Sequence, residues 1–161
     1  MLQRCVCLIF AMFVQLSVQA SETQTQISLA LDNFHQAASD ANQQQYFDLL
    51  SDKAVFIGTD ATERWDKNAF IAFAKPYFDK GKGWTYIPRN RHVTLAESGQ
   101  VAWFDEMLDS QSYGECRGTG VLELTEKGWK ISQYHLTIPL PNGLAKDVVK
   151  QIKQQQQVIS K

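Results

Sequence analysis

The sequence predicts an α+β fold, a curved and mostly antiparallel sheet wrapped around helices to form a cone. Three observations carry this. Helical periodicity dominates from Ile27 to about Leu50 and returns after Asp66, whereas Trp84 to Thr137 reads as four consecutive strands. Helices gathered ahead of a run of strands belong on one face of a sheet rather than between parallel strands. Third, 161 residues with 44% hydrophobic and 11% aromatic content suit one domain with a full core. A sheet curled over a long helix leaves an apolar hollow with an open mouth, a usual setting for a small ligand.

The first twenty residues are set apart. A positive start at Arg4, an apolar run from Cys5 to Leu16 and a small residue at Ala20 predict a signal peptide over residues 1–20. The apolar run is shorter than the roughly 20 residues that a spanning helix needs. The expectation is therefore a secreted, periplasmic protein with no membrane contact after cleavage, a single domain over residues 21–161 and a core over 27–153. Cys5 and Cys7 leave with the signal, so Cys116 has no partner within the chain. Its plainest reading is a buried thiol packing as a small apolar residue.

Ile27, Leu31, Phe34 and Ala38 recur at helical spacing and predict a helix ending near Ser39-Asp40. A second helix is expected over Asn42 to Leu50, capped by Asp40 or Asn42 and burying Tyr46 and Phe47. Ala54 to Ile57 reads as a first strand, broken at Gly58-Thr59-Asp60. Asp66 can cap a third helix through Phe70, Phe73 and Tyr77, stopped by Gly81 and Gly83, with a kink or restart at Pro76. Trp84 to Ala96 is extended, turns at Glu97-Ser98-Gly99 and returns as Val101 to Asp109. Cys116 to Thr137 then reads as a hairpin turning at Thr125-Glu126-Lys127-Gly128. Strict alternation puts Arg117, Thr119 and Val121 on one face of its first strand. On the second strand it groups Trp129, Ile131, Gln133, His135 and Thr137. Pro139 and Pro141 end the sheet, and Leu144, Val148 and Ile152 predict a last helix that frays in Gln154 to Gln157.

Several function classes are excluded. Sixteen basic against seventeen acidic residues, with no basic block, argue against nucleic acid as a partner. His35, His92 and His135 stand far apart, so no metal-type spacing exists. There is no Gly-x-Ser-x-Gly elbow and no phosphate-cradling glycine loop, and no cofactor is implied.

Four stretches carry a resemblance: Ala54-Val-Phe-Ile-Gly-Thr-Asp60, Ala102-Trp-Phe-Asp-Glu106, Arg117-Gly-Thr-Gly120 and Trp129-Lys-Ile-Ser-Gln-Tyr-His135. From Phe34 to Ile152 the chain resembles a SnoaL-like domain of the nuclear transport factor 2-like superfamily. The resemblance implies a cystatin-like cone, often paired as a homodimer through the outer sheet face. It implies function only weakly, since the superfamily holds steroid isomerases, polyketide cyclases, dehydratases and members that only bind or assemble.

Asp60 and Glu106 are the candidate acid–base pair, because a carboxylate at the inner end of an apolar cone loses hydration and gains a higher pKa. The competing role for Asp60 is to cap its own turn or pair with Arg64. Arg117 could grip a ligand carboxylate and His135 could shuttle a proton; equally, Arg117 could pair with Glu106 or Asp60. Tyr134 falls on the face opposite His135, so one of the two lines the hollow. Arg64, Trp65, Tyr86, Phe104 and Gln133 are the further ligand-binding candidates, Trp65 as the stacking ring beside Asp60. Trp84 and Trp103 join these aromatics around the mouth. The pair Arg89 and Arg91 is expected on solvated surface. The leading expectation is a domain binding a small, partly apolar organic molecule. Beside it stand a cofactor-free isomerase, cyclase or dehydratase, and a non-catalytic dimerisation module with a filled cone.

Overall fold

The structure, a computed structural model, describes residues 2–159, with side-chain surroundings for residues 21–157. The side chains of the predicted signal peptide lie outside the described residues. The first helix, α1 (Leu2–Ser39), buries Ile27, Leu31, Phe34, Ala37 and Ala38 on one stripe. Asn42 breaks from it and caps α2 (Gln43–Asp48), its side-chain oxygen accepting from the Gln45 N–H at 3.1 Å. Helix α2 drives Tyr46 and Phe47 inward, and Tyr46 stacks on Phe34 with ring centroids 4.4 Å apart.

The strand β1 (Leu50–Ile57) starts earlier than its apolar run suggests and pairs with a short β2 (Arg64–Asp66), which the sequence reading lacks. Asp66 caps α3 (Lys67–Phe78) through the Ala69 N–H at 2.8 Å. Pro76 neither breaks nor restarts this helix, because it falls in the last turn and little helix follows. Residues 82–86 are irregular rather than strand. The meander follows as β3 (Ile87–Leu95), β4 (Val101–Ser110), β5 (Gly114–Thr125) and β6 (Gly128–Thr137). The sheet order is β2-β1-β6-β5-β4-β3, and only the β1–β6 pair is parallel.

Two inserted residues decide which side chains enter the cone. In β6 the register shifts between Val121↔Gln133 and Leu122↔Ile131, leaving Ser132 as an extra residue. Trp129 and Ile131 point inward; past the bulge, Tyr134 and Leu136 do so, while Gln133 and His135 point out. In β3 the register shifts between Arg89 and His92, with Asn90 at φ 48° in the left-handed region. Arg89 therefore stays outside, bonded to Asp109 and Glu115, and Arg91 turns in. The inward face of β5 is Cys116, Gly118, Gly120 and Leu122. Its small residues leave room: a Cβ on Gly118 would stand 2.5 Å from the Tyr134 hydroxyl oxygen, and one on Gly120 2.8 Å from the Phe104 ring.

The core closes between α1, α2, α3 and the concave sheet. Beyond Leu136 no described residue joins it. A 3-10 turn (Asn142–Leu144) leads into α4 (Ala145–Ile159), whose Val149 and Ile152 are about half exposed, and the helix does not fray within Gln154 to Gln157. No helix among the described residues is long and apolar enough to cross a membrane.

Candidate functional site

The concave side of the sheet holds a polar cluster low in the cone and an aromatic cavity at its mouth. Glu106, on β4, is fully buried. Its Oε1 lies 2.6 Å from Nε2 of His35, and its Oε2 accepts from Nε of Arg91 at 2.7 Å. Arg91 also bonds the Ser28 carbonyl at 2.9 Å and Asp32 at 2.8 Å, tying β3 to α1. A buried carboxylate needs such partners, because losing water without them costs several kcal/mol. Burial works against the Arg91 charge, but Glu106 and Asp32 outweigh it and hold the guanidinium's pKa above its usual value. The Tyr134 hydroxyl and Nη2 of Arg91 are buried without a hydrogen-bond partner.

Above this cluster opens a cavity of about 440 Å³. The β1–β2 hairpin and α3 contribute Phe56, Trp65, Phe70 and Phe73 to its wall. The irregular stretch before β3 adds Trp84 and Tyr86, and the β4–β5 turn adds Tyr113. Leu136 from β6 and Phe56 form the floor next to Tyr134, whose ring stacks on Phe56 at 5.4 Å. Glu106 is not among the lining residues; its strand neighbours on the same rung are Gly118 and, one strand further, Leu136. The polar cluster thus lies outside the cavity wall, two strands across the sheet from Leu136. Burial pushes the Tyr86 phenol up to about 12, with Cys116, Tyr113 and Glu63 adding to the shift.

The convergence expected of Asp60, Glu106, Arg117 and His135 does not occur. Asp60 is exposed, and its Oδ1 accepts from the hydroxyl (2.6 Å) and the N–H (2.8 Å) of Thr62. Those bonds hold its carboxyl below the usual range, as expected of a turn cap. Arg117, Gln133 and His135 lie on the convex face, where Arg117 is paired in register with Met107 and Thr137. Arg64 is exposed on β2, and Trp103 is half exposed on the convex face, away from the mouth. Phe104 is buried below the floor beside Tyr134. Trp65 and Tyr86 do line the cavity. Arg91 corrects the expectation of solvated surface, since the bulge at Asn90 redirects it inward. His35 was missed as a site residue, yet it stands four residues after Leu31, within the buried helical stripe. Cys116 is a free, buried thiol, and burial raises its pKa. Among the described residues no cluster of three His, Cys, Asp or Glu could hold a metal ion.

A family model described as a SnoaL-like domain matches residues 27–141. The chain belongs to the SnoaL-like family. No curated protein matches it significantly. Among solved structures, the SnoaL-like chain is similar to a domain of unknown function with a cystatin-like fold from Nostoc punctiforme. The two are 17% identical over 86% of this chain and 93% of that one, with a TM-score of 0.67. An NTF2-like protein of unknown function from Pseudomonas putida gives 15% identity, 76% and 90% coverage and a TM-score of 0.64. An NTF2-like protein with a cystatin-like fold from Novosphingobium aromaticivorans gives 11% identity, 83% and 93% coverage and a TM-score of 0.62. These likenesses establish the fold alone.

The buried phenols make a prediction for alkaline stability. Tyr134 is raised well above 10.0 by burial and the nearby Glu106 charge, and burial also raises Tyr46 and Tyr86. Between pH 10 and 12 the unfolded chain has lost protons that the folded SnoaL-like domain retains, so stability falls as pH rises through that window. Urea midpoints should drop from about pH 10 upward, with phenolate absorbance from these residues appearing only on unfolding. Midpoints flat to pH 12 would contradict the burial of these phenols.

Proposed function

We propose that this SnoaL-like domain binds a small, partly apolar organic molecule in the cavity at the mouth of its cone. One observation carries the reading: an open cavity of about 440 Å³ has aromatic rings from α3, the β1–β2 hairpin and the stretch before β3 on its wall, and polar side chains such as Thr59, Glu63, Thr85 and Gln111 between them. The same open space supports this reading over a dimerisation module with a filled interior. A thermal-shift screen of the purified protein against small aromatic and alicyclic compounds should find at least one that raises the melting temperature. A library with no ligand-dependent rise would count against the proposal.

A second reading, a cofactor-free isomerase, cyclase or dehydratase, draws on Glu106, His35 and the unpartnered hydroxyl of Tyr134, whose ring stacks on the lining residue Phe56. Proton transfer by Glu106 requires the floor to open, since both its oxygens are occupied and it does not line the cavity. Binding is therefore the better-supported reading. Turnover of a bound compound that is unchanged in Glu106→Gln and His35→Asn proteins would eliminate acid–base chemistry at this cluster.

Export and pairing belong to the same proposal. The apolar run of residues 5–16 and Ala20 support a signal cleaved before Ser21, which the mass of the exported protein would test. Pairing through the convex face is supported by Trp103, 50% exposed beside Val101 on β4, one strand in from the sheet edge. Sedimentation that finds only monomer at micromolar concentration would remove it.

A further inference from the structure

The proposed ligand cavity contains one charged side chain, Glu63, and no Lys, Arg or His lines it. Glu63 is half-buried and has no ion pair among the described residues. Its Oε2 accepts from the Asp60 N–H at 3.1 Å, which orients the carboxylate within the hairpin loop. Gly58 leaves the space the Glu63 side chain occupies, since a Cβ there would displace its carboxylate and crowd its Cβ. The carboxylate is also close enough to Tyr86 to help raise the phenol's pKa.

The remaining wall combines aromatic rings with uncharged polar side chains, Thr59, Thr85 and Gln111 among them. Trp65 and Phe73 stack with centroids 4.7 Å apart, and Trp84 and Tyr86 come from the stretch before β3. Ring faces carry negative electrostatic potential and attract cations, most strongly at Trp. An anionic ligand would meet Glu63 and the ring faces with no positive side chain in the lining to offset them. A neutral apolar ligand would strip water from the Glu63 carboxylate and return nothing. A cation on an apolar scaffold satisfies both at once.

We propose that the cavity takes a partly apolar organic cation, such as an amine or quaternary ammonium, with its charge between Glu63 and the rings of Trp65, Trp84 and Tyr86. This rests on the cavity being the ligand site, and the test separates the two claims. Intrinsic tryptophan fluorescence of the purified protein would be titrated with benzyltrimethylammonium, the similarly sized neutral 2-methyl-1-phenylpropan-2-ol, and the anion phenylacetate. The cation should bind about tenfold or more tighter than the alcohol, and phenylacetate weakest. Glu63→Gln should remove most of that preference, weakening the cation and strengthening the alcohol because no carboxylate is left to desolvate, and Glu63→Lys should reverse the order of the two ions. The alcohol or phenylacetate binding as tightly as the cation would overturn the ligand class and leave the cavity reading standing. Preference for the cation that persists in folded Glu63→Gln would overturn the role of the carboxylate. No binding by any of the three probes would contradict both claims.

Discussion

Glu106→Gln is expected to lower the unfolding free energy by about 3–5 kcal/mol, the range for breaking one side of a buried ion pair. The carboxylate is 0% exposed and answers two partners, His35 at 2.6 Å and Arg91 at 2.7 Å. Neutralising it leaves the Arg91 guanidinium, whose side chain is 12% exposed, with the Ser28 carbonyl and, as its one anionic partner among the described residues, Asp32. Asp32 itself is 58% exposed and solvent-screened, so it compensates little. Urea unfolding checks the value. A Glu106→Leu, Arg91→Met double variant should lose less than either single change, because no charge is then stranded. A single-variant loss under about 0.5 kcal/mol would mean that the network contributes nothing.

Phe70→Ala is expected to cost about 3–5 kcal/mol, as for other fully buried phenylalanines. Phe70 is 1% exposed and lies flat on Phe56, with centroids 4.0 Å apart and planes at 10°. Its ring also meets those of Phe47 at 5.8 Å, Trp65 at 5.9 Å and Tyr46 at 6.0 Å. It thereby fastens α3 to both α2 and the β1–β2 hairpin. Phe70 also lines the cavity, so its loss widens that space rather than leaving a sealed void. Denaturant titration should show the loss, and the same variant should bind bulkier compounds than the wild type. A stability change below about 1 kcal/mol would show that the aromatic cluster repacks freely.

The helices, the meander and its turns were legible because each obeys one period over a long stretch. Ile27, Leu31 and Phe34 mark a helix face, and Val121 to Ile131 mark a hairpin, whatever happens around them. The facing of the site residues was harder to read. Ser132 and Asn90 each insert one residue, and a period-two reading carried across such an insertion assigns every later side chain to the wrong face. Such a reading puts Gln133 and His135 inside the cone and Arg91 outside, the reverse of their places in the structure. The third difficulty is β5, whose inward face is mostly Cys116, Gly118 and Gly120. Small residues leave no hydropathy signal, yet they face inward because Tyr134, Phe104 and Glu106 fill the space above them. Arg117, alternating with those glycines, is consequently on the outside. Trp65 and Tyr86 escaped these errors because each lies next to a loop at the mouth, where no long register has to be carried.

The account depends on ligand entering the concave side of the sheet and not meeting the convex one. The most direct measurement is a nuclear magnetic resonance titration of the isotope-labelled protein with the tightest compound from the thermal-shift screen. Indole and ring signals of Trp65, Trp84, Tyr86 and Tyr113 should shift together, while those of Trp103 and His135 stay in place. Shifts confined to Trp103, His135 and the Arg117 strand face, with Trp65 and Trp84 unmoved, would contradict the account.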